Sequence, residues 1–370
     1  MSRVLLASLA CAALLPAAAQ AAGCAYTAGA ATVALGGRPF AAQPSADGCW
    51  LFVSLTGVQN STPGVAVLKN EGGGFRQAHV AKVPGQPGGL ALSHDGRTLA
   101  AAAQDRILLI DVGKLEANDP QAVRAEIAGG KGAIYAAFSR DDRLLFVSQE
   151  RDFGLAVIDV ARVAATGHIP LGIAPVGLAL SADGAALFAT SEIARDGRFP
   201  KRCAPQTGRP GPQQAVGELF LIDVARAATA PETSVVAAVN AGCGPVRVAL
   251  SPDGATAWVT ARGDNAVLSF PTASLRGVQP EARGIVHPVG TAPVGVAVRP
   301  DGSQVWASNS DRFSTASQGT LSEIAVAGGP GRTIASGGFP RDMAFLPDGK
   351  TLVVSVFRSG AVQFIPTDGP

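Results

Sequence analysis

The side chains with the clearest chemical potential in this 370-residue sequence are arginines set beside carboxylates. In Pro340-Arg341-Asp342, the guanidinium could polarise a carbonyl and the carboxylate could serve as a base or a metal ligand. The same two residues could equally form an ion pair that holds one piece of structure to the next. A second concentration of charge lies near position 200, where Arg195, Arg198, Lys201, Arg202 and Arg209 stand against Asp196 alone. An arginine fork matches carboxylate and phosphate, so such an excess would draw an anionic ligand; alternatively it keeps a proline-rich loop soluble. There are only four histidines, and no Gly-x-Ser-x-Gly elbow or phosphate-binding Walker loop accompanies them. Carboxylates together with Asn309 could hold Ca²⁺ or Mg²⁺, but their spacing does not favour it. No cofactor motif is present, and no residue set forms a catalytic signature.

The most regular acidic residues are not chemical. Asp47, Asp95, Asp141, Asp183, Asp253, Asp301 and Asp348 each sit in a phrase close to Ser-x-Asp-Gly, between two apolar stretches, with separations of 48, 46, 42, 70, 48 and 47 residues. A residue present in every copy of a repeat serves the repeat, and Asp-Gly is hairpin chemistry. The stretch after the turn typically ends in Ser or Thr, as in Leu51-Phe52-Val53-Ser54 and Ala257-Trp258-Val259-Thr260. Several copies continue into Leu109-Ile110-Asp111-Val112, Val157-Ile158-Asp159-Val160 or Leu221-Ile222-Asp223-Val224, and then into a Gly-x-x-Pro step such as Gly172-Ile173-Ala174-Pro175, Gly290-Thr291-Ala292-Pro293 or Gly337-Gly338-Phe339-Pro340. Each period therefore holds about four strands. A 47% hydrophobic composition, 16% charge and 45 glycines fit an all-β chain with a large core and tight turns, and argue against disorder. A steady period in the forties is the mark of a repeat architecture, here a seven-bladed β-propeller of four-stranded antiparallel blades.

The pattern Pro293-Val294-Gly295-Val296-Ala297-Val298-Arg299-Pro300-Asp301-Gly302, followed by an aromatic-Val-Ser/Thr strand and a Val-x-Ile-Asp strand, resembles the bacterial YVTN-repeat and lactonase-type propellers over nearly the whole mature chain. It lacks the repeated Gly-His and Trp-Asp marks of WD40 repeats. The resemblance implies ligand binding at the channel mouth, on the face opposite the Asp-Gly turns. Laying the repeat on such a ring puts Glu150, Arg151, Glu192, Arg247, Arg262, Asp264, Asn309, Asp311, Arg312, Arg341, Asp342 and Arg358 on that face. The ligand-binding candidates are Arg151, Arg247, Arg262, Asn309, Arg312, Arg341, Asp342 and Arg358, and the catalytic candidates are Arg341 and Asp342. Lactonase-type propellers would carry Pro-Arg-His at the start of a channel strand. Pro340-Arg341-Asp342 and Pro245-Val246-Arg247 are the nearest matches, and both lack the histidine. His94 falls in an Asp-Gly turn, while His79, His168 and His287 fall on outer strands, away from the channel.

The same ring places the chain ends together. Ala30 to Leu35 would supply the outer strand of the last blade, beside Phe364-Ile365-Pro366, and so close the ring and hide two free edges. Residues 1–21 read as an export signal, with Arg3, an apolar Val4–Leu15 and Ala19-Gln20-Ala21 for cleavage. That apolar run falls short of the roughly 20 residues that span a bilayer. Once Cys11 leaves with the signal, Cys24, Cys49, Cys203 and Cys243 remain, an even number that suggests disulfides in an exported chain. Ala21-Ala22-Gly23-Cys24 also offers a lipidation site, but using Cys24 there would strand one partner. Four cysteines allow three pairings. On the ring only Cys24–Cys49, at the Asp-Gly face, and Cys203–Cys243, between loops of adjacent blades, are neighbours. Cys203 lies in an insertion at about 193–216 that accounts for the spacing of 70.

These readings give a signal at 1–21 and a propeller over 22–370, periplasmic or secreted. Without the signal the net charge falls from +2 to +1, too small for general attraction to nucleic acid or an anionic membrane. Three functions remain open: a scaffold that binds a small anionic molecule, glycan or envelope protein; a lactone hydrolase built on Arg341 and Asp342; and an accessory subunit of a redox enzyme, which rests on likeness of fold alone.

Overall fold

The computed structural model describes residues 23–57, 63–195, 203, 215–276, 284–312 and 318–368. The protein is an all-β propeller. Among the described residues the strands form five four-stranded sheets and one six-stranded sheet, every adjacent pair antiparallel. Within a four-stranded sheet the chain steps outward strand by strand, as from Arg38–Pro44 through Trp50–Thr56 and Gly64–Glu71 to Gly74–Lys82. The middle strands are apolar on both faces because each sheet packs against a neighbour on either side. Phe52, Phe146, Phe270, Trp306 and Phe364 are fully buried in these interfaces. Each such side chain contributes roughly 1.5–3 kcal/mol by leaving water.

The repeated Ser-x-Asp-Gly phrase is a self-contained turn. In the copy at 251–254, Ser251 Oγ donates to Asp253 Oδ1 and accepts from Thr256 N, while Asp253 Oδ1 also accepts from Ala255 N at 3.0 Å. Gly254 closes the turn at φ +69°, a conformation that costs a residue with a side chain about 1 kcal/mol or more.

The Ser or Thr that ends the second strand ties sheets to one another. Thr190 Oγ1 accepts from Gly177 N at 2.9 Å within its own sheet and donates to Val246 O of the next inner strand at 2.7 Å. Ser148 does the same between Tyr135 N and Val176 O, and Thr260 between Arg247 N and Val294 O. Ser308 links Gly295 N to Arg341 O, Ser54 links Ala41 N to Gly88 O, and Ser355 links Asp342 N back to Phe40 O of the first inner strand. Every hydroxyl sits 13 residues after the amide it accepts from. The buried inner strands thus keep their outward-facing amides and carbonyls paired.

One junction is different. Ala102 stands where the hydroxyl would be, and Gly89 N donates directly to Ile134 O at 2.7 Å. A side chain at Gly89 would come within 2.2 Å of the Tyr135 ring, so this approach requires glycine. Here the sheets also merge. Strands Thr98–Asp111 and Val123–Phe138 run without a break through the places where other copies have loops. The result is a six-stranded sheet containing two of the Asp turns, not the separate four-stranded sheets expected. The copy has short connections there, and Gln104 at φ +62° with Gly130 and Gly132 at φ +78° bends the chain without interrupting it.

Ala31–Ala34 pairs antiparallel with Ala361–Pro366, Ala31 opposite Phe364 and Ala34 opposite Ala361, as expected from the chain ends. Both expected disulfides form, Cys24–Cys49 with Cα atoms 4.8 Å apart and Cys203–Cys243 at 5.6 Å. The expected signal lies outside the described residues, and no helix among those described is long and apolar enough to cross a membrane.

Candidate functional site

The inner strands begin at the end of the molecule opposite the Asp turns, and there they surround a cavity of about 320 Å³. Its floor is aliphatic: Ile134, Val176, Val246 and Val294 occupy one position, just before the amide held by a Ser or Thr hydroxyl, in four inner strands. Arg341 occupies that same position in the strand Pro340–Phe345 and so brings a guanidinium where its counterparts are apolar. Arg247, Arg262, Arg312, Glu150, Glu192 and Tyr135 complete the walls.

Arg262 and Arg247 each pair with an acid. Arg262 meets Glu192 through both ends, Nη1 to Oε1 at 2.9 Å and Nη2 to Oε2 at 2.8 Å, and is itself buried. Arg247 pairs with Asp342 from another inner strand, and its guanidinium carbon lies 3.3 Å from the centre of the Tyr135 ring. Asp342 also accepts from Ala42 N at 3.4 Å. Arg341 lies 3.7 Å above the Phe40 ring, with Phe339 and Phe357 farther out, and Phe40 leans on Tyr135. The groups therefore follow one another in the order Arg341, Phe40, Tyr135, Arg247, each guanidinium over a ring and the two rings tilted by 44°. Such stacking stabilises a desolvated cation and fixes the plane in which its N–H groups point.

The electrostatics record an excess of buried positive charge. Burial, then the charges of Arg262 and Arg341, bring Arg312 down to about 10. Burial likewise lowers Arg341, whose Nε is buried without a hydrogen-bond acceptor. Burial and the nearby Glu192 raise Glu150, and burial raises the Tyr135 hydroxyl. A site that holds cations at such cost favours a bound anion, which would relieve both desolvation and mutual repulsion.

Of the residues expected on this face, Glu150, Glu192, Arg247, Arg262, Arg312 and Arg341 come together in the cavity wall, and Asp342 supports them from below. Asn309 does not reach it. Its amide is buried inside its own sheet, donating to Thr320 Oγ1 at 3.0 Å and Ser322 Oγ at 2.9 Å. Asp264 instead accepts from Cys243 N at 2.8 Å and steadies the strand end beside the disulfide. Arg151 and Arg358 are exposed at the rim, Arg358 donating to Arg312 O at 3.1 Å, and Asp311 is half-buried next to Arg312. From the charged insertion, Arg195 donates to Phe153 O at 3.4 Å; Asp196, Arg198, Lys201, Arg202 and Arg209 lie outside the described residues.

The histidines sit away from the cavity. His94 pairs with Asp142 at a turn, His79 meets Leu115 O, and His287 packs on Trp258 beside Ser269. His168 lines a separate, largely aliphatic cavity of about 250 Å³ with Ile107, Ile127, Ala156 and Ile158. Sequence reasoning missed Phe40 and Tyr135. The available signal was departure from the repeat: Tyr135 occupies a position where other copies have Gly177 or Gly295, in a chain with only two tyrosines.

The sequence matches no protein-family model and no curated protein. Among solved structures the chain resembles hydrazine synthase of Kuenenia stuttgartiensis, with a TM-score of 0.67 and 18% identity over 90% of this chain and 96% of that one. It also resembles the Cps50 (Swd1) β-propeller domain of Myceliophteria thermophila, with a TM-score of 0.66 and 16% identity over 91% of this chain and 99% of that one. At such identities the likeness is one of fold alone, and the fold it shows is the β-propeller.

Proposed function

We propose that this chain is an exported, seven-bladed propeller of the YVTN type that binds a small anionic molecule at the mouth of its channel. The observation that carries the reading is the crowding of four guanidinium groups around one cavity of about 320 Å³ whose lining, among the described residues, holds two glutamates, with Asp342 paired to Arg247. The seven-blade count is supported by the six-stranded sheet, which contains two copies of the turn and reads as two joined blades. The pairing of Ala31–Ala34 with Ala361–Pro366, and the return of the Ser355 hydroxyl to Phe40, support a ring closed by the N-terminal strand. The two disulfides support export to the periplasm or medium.

Lactone hydrolysis draws no comparable support. The carboxylate of Asp342 is engaged by Arg247 and the Ala42 amide, and no histidine lines the cavity. The test is calorimetric titration of the purified protein with sulfate, phosphate and small carboxylates at low ionic strength. Arg341→Met is expected to weaken binding at least tenfold while the protein still melts cooperatively. An absence of binding by all of these anions, or binding indifferent to Arg341, refutes the reading. Lactone turnover lost in Asp342→Ala, with the fold intact, would replace it with the hydrolase.

A further inference from the structure

If the cavity is an anion site, its acids restrict which anions it can accept. Glu192 is closed off by its two bonds to Arg262, and Asp342 by Arg247. Glu150 is not. It follows the strand Leu144–Gln149, its backbone N–H is held by Gly132 O at 2.9 Å, and its carboxylate enters the same cavity wall as Arg341 and Arg312. Among the described residues no N–H or O–H group donates to that carboxylate. Arg341, which lines the same cavity, has a buried Nε with no acceptor. The cavity thus offers both an unmatched donor and an unmatched acceptor, above an aliphatic floor of Ile134, Val176, Val246 and Val294.

A simple anion would match only one of these groups. It would satisfy Arg341 while leaving the half-buried Glu150 beside a like charge, a repulsive arrangement that opposes binding. A molecule with a proton-donating substituent close to its carboxylate would match both. We infer that the ligand of this cavity is a small carboxylate that also bears a hydroxyl or ammonium group, its carboxylate on the Arg341 side and its donor on Glu150. Each liquid water takes roughly 30 Å³, so the cavity has room for roughly ten non-hydrogen atoms, the size of a hydroxy acid or an amino acid. This inference rests on the anion-binding reading and narrows it.

Three probes share one four-carbon dicarboxylate skeleton: succinate has no donor, malate adds a hydroxyl and aspartate adds an ammonium. Calorimetric titration of the full chain at neutral pH is expected to give malate and aspartate dissociation constants at least tenfold below that of succinate. In Glu150→Gln, succinate should bind more tightly and the gap to aspartate should fall below about threefold. Glu150→Ala gives the same test should the glutamine variant not melt cooperatively. Arg341→Met should weaken all three. Equal affinities for the three probes, with Arg341→Met still weakening them all, overturn this inference and leave the anion site standing. A preference that survives both Glu150 variants also overturns it. If none of the three binds, or Arg341→Met changes nothing, the anion-binding reading itself fails.

Discussion

The two ends of this propeller use charged side chains in opposite ways. At the Asp-turn end, Ser93, Ser139, Ser181, Ser251 and Ser303 each donate to the aspartate of their own turn, which lowers the proton affinity of all five acids. Those acids are local, largely solvated and repeated. At the cavity end, Arg247 and Arg262 belong to one sheet and Arg312 and Arg341 to two others, and Arg247 and Arg262 find their acidic partners on other sheets rather than within their own turn. Burial disfavours the charges of Arg312 and Arg341. Repetition marks groups that build the blade; a departure from it, at a shared position, marks groups placed for something else.

The Ser and Thr hydroxyls between the sheets belong to the building side, and breaking one should give the largest stability effect. Thr190 is completely buried, and Thr190→Val leaves both Gly177 N–H and Val246 C=O without a partner. Each buried orphan costs about 1–3 kcal/mol, so a loss of roughly 2–4 kcal/mol is expected in urea unfolding. Anion binding at the cavity should follow the protein's folded fraction and otherwise stay unchanged. A loss below about 1 kcal/mol would mean that the hydroxyls do not hold the sheets together.

The cavity end should respond with the opposite sign. Burial and the charges of Arg262 and Arg341 outweigh the attraction of Glu192 and Glu150 at Arg312, so removing its charge relieves the ligand-free protein. Arg312→Met is expected to raise stability by on the order of 1 kcal/mol, roughly 2 °C in melting temperature, while weakening anion binding. Scanning calorimetry with and without sulfate checks both halves. A destabilised variant would show that Arg312 is part of the framework, and the contrast between the two ends would lose its clearest case.

This contrast also explains how far the sequence could be read. The Asp turns, the strand order, the two disulfides and the pairing of the chain ends follow from local chemistry repeated at a regular spacing, so they were legible. So was the end of the molecule to which the arginines belong. The stacking of Arg341, Phe40, Tyr135 and Arg247 was not, because it joins residues up to about 300 positions apart whose meeting depends on how the sheets are arranged. Asn309 was misjudged for a related reason. Its position at the end of the strand Gln304–Asn309 suggested the rim, but Thr320 and Ser322 of the adjoining strand draw its amide inward. The merged six-stranded sheet escaped notice because a missing loop leaves no motif behind.

The smallest effect concerns acid, where the two ends again differ in sign. The turn aspartates have lowered folded values. Their contribution to stability is present above the unfolded value of about 3.9 and is lost as pH falls through the folded values. Glu150 is raised by burial and by Glu192, so its contribution is full below the unfolded glutamate value of about 4.3 and is lost as pH rises through its folded value. Wild type and Glu150→Gln share every turn, so the aspartates cancel when the two are compared. The glutamine variant should gain on wild type as pH rises from about 4.3 towards 7, by about 1 kcal/mol or less, and the gap should stay flat below that range. Urea midpoints measured across pH 3.5 to 7 (a range set by the aspartate and glutamate values) read this directly. A gap independent of pH would show that the Glu150 carboxylate is solvated, and the acidic wall of the cavity would then join the exposed turns in character.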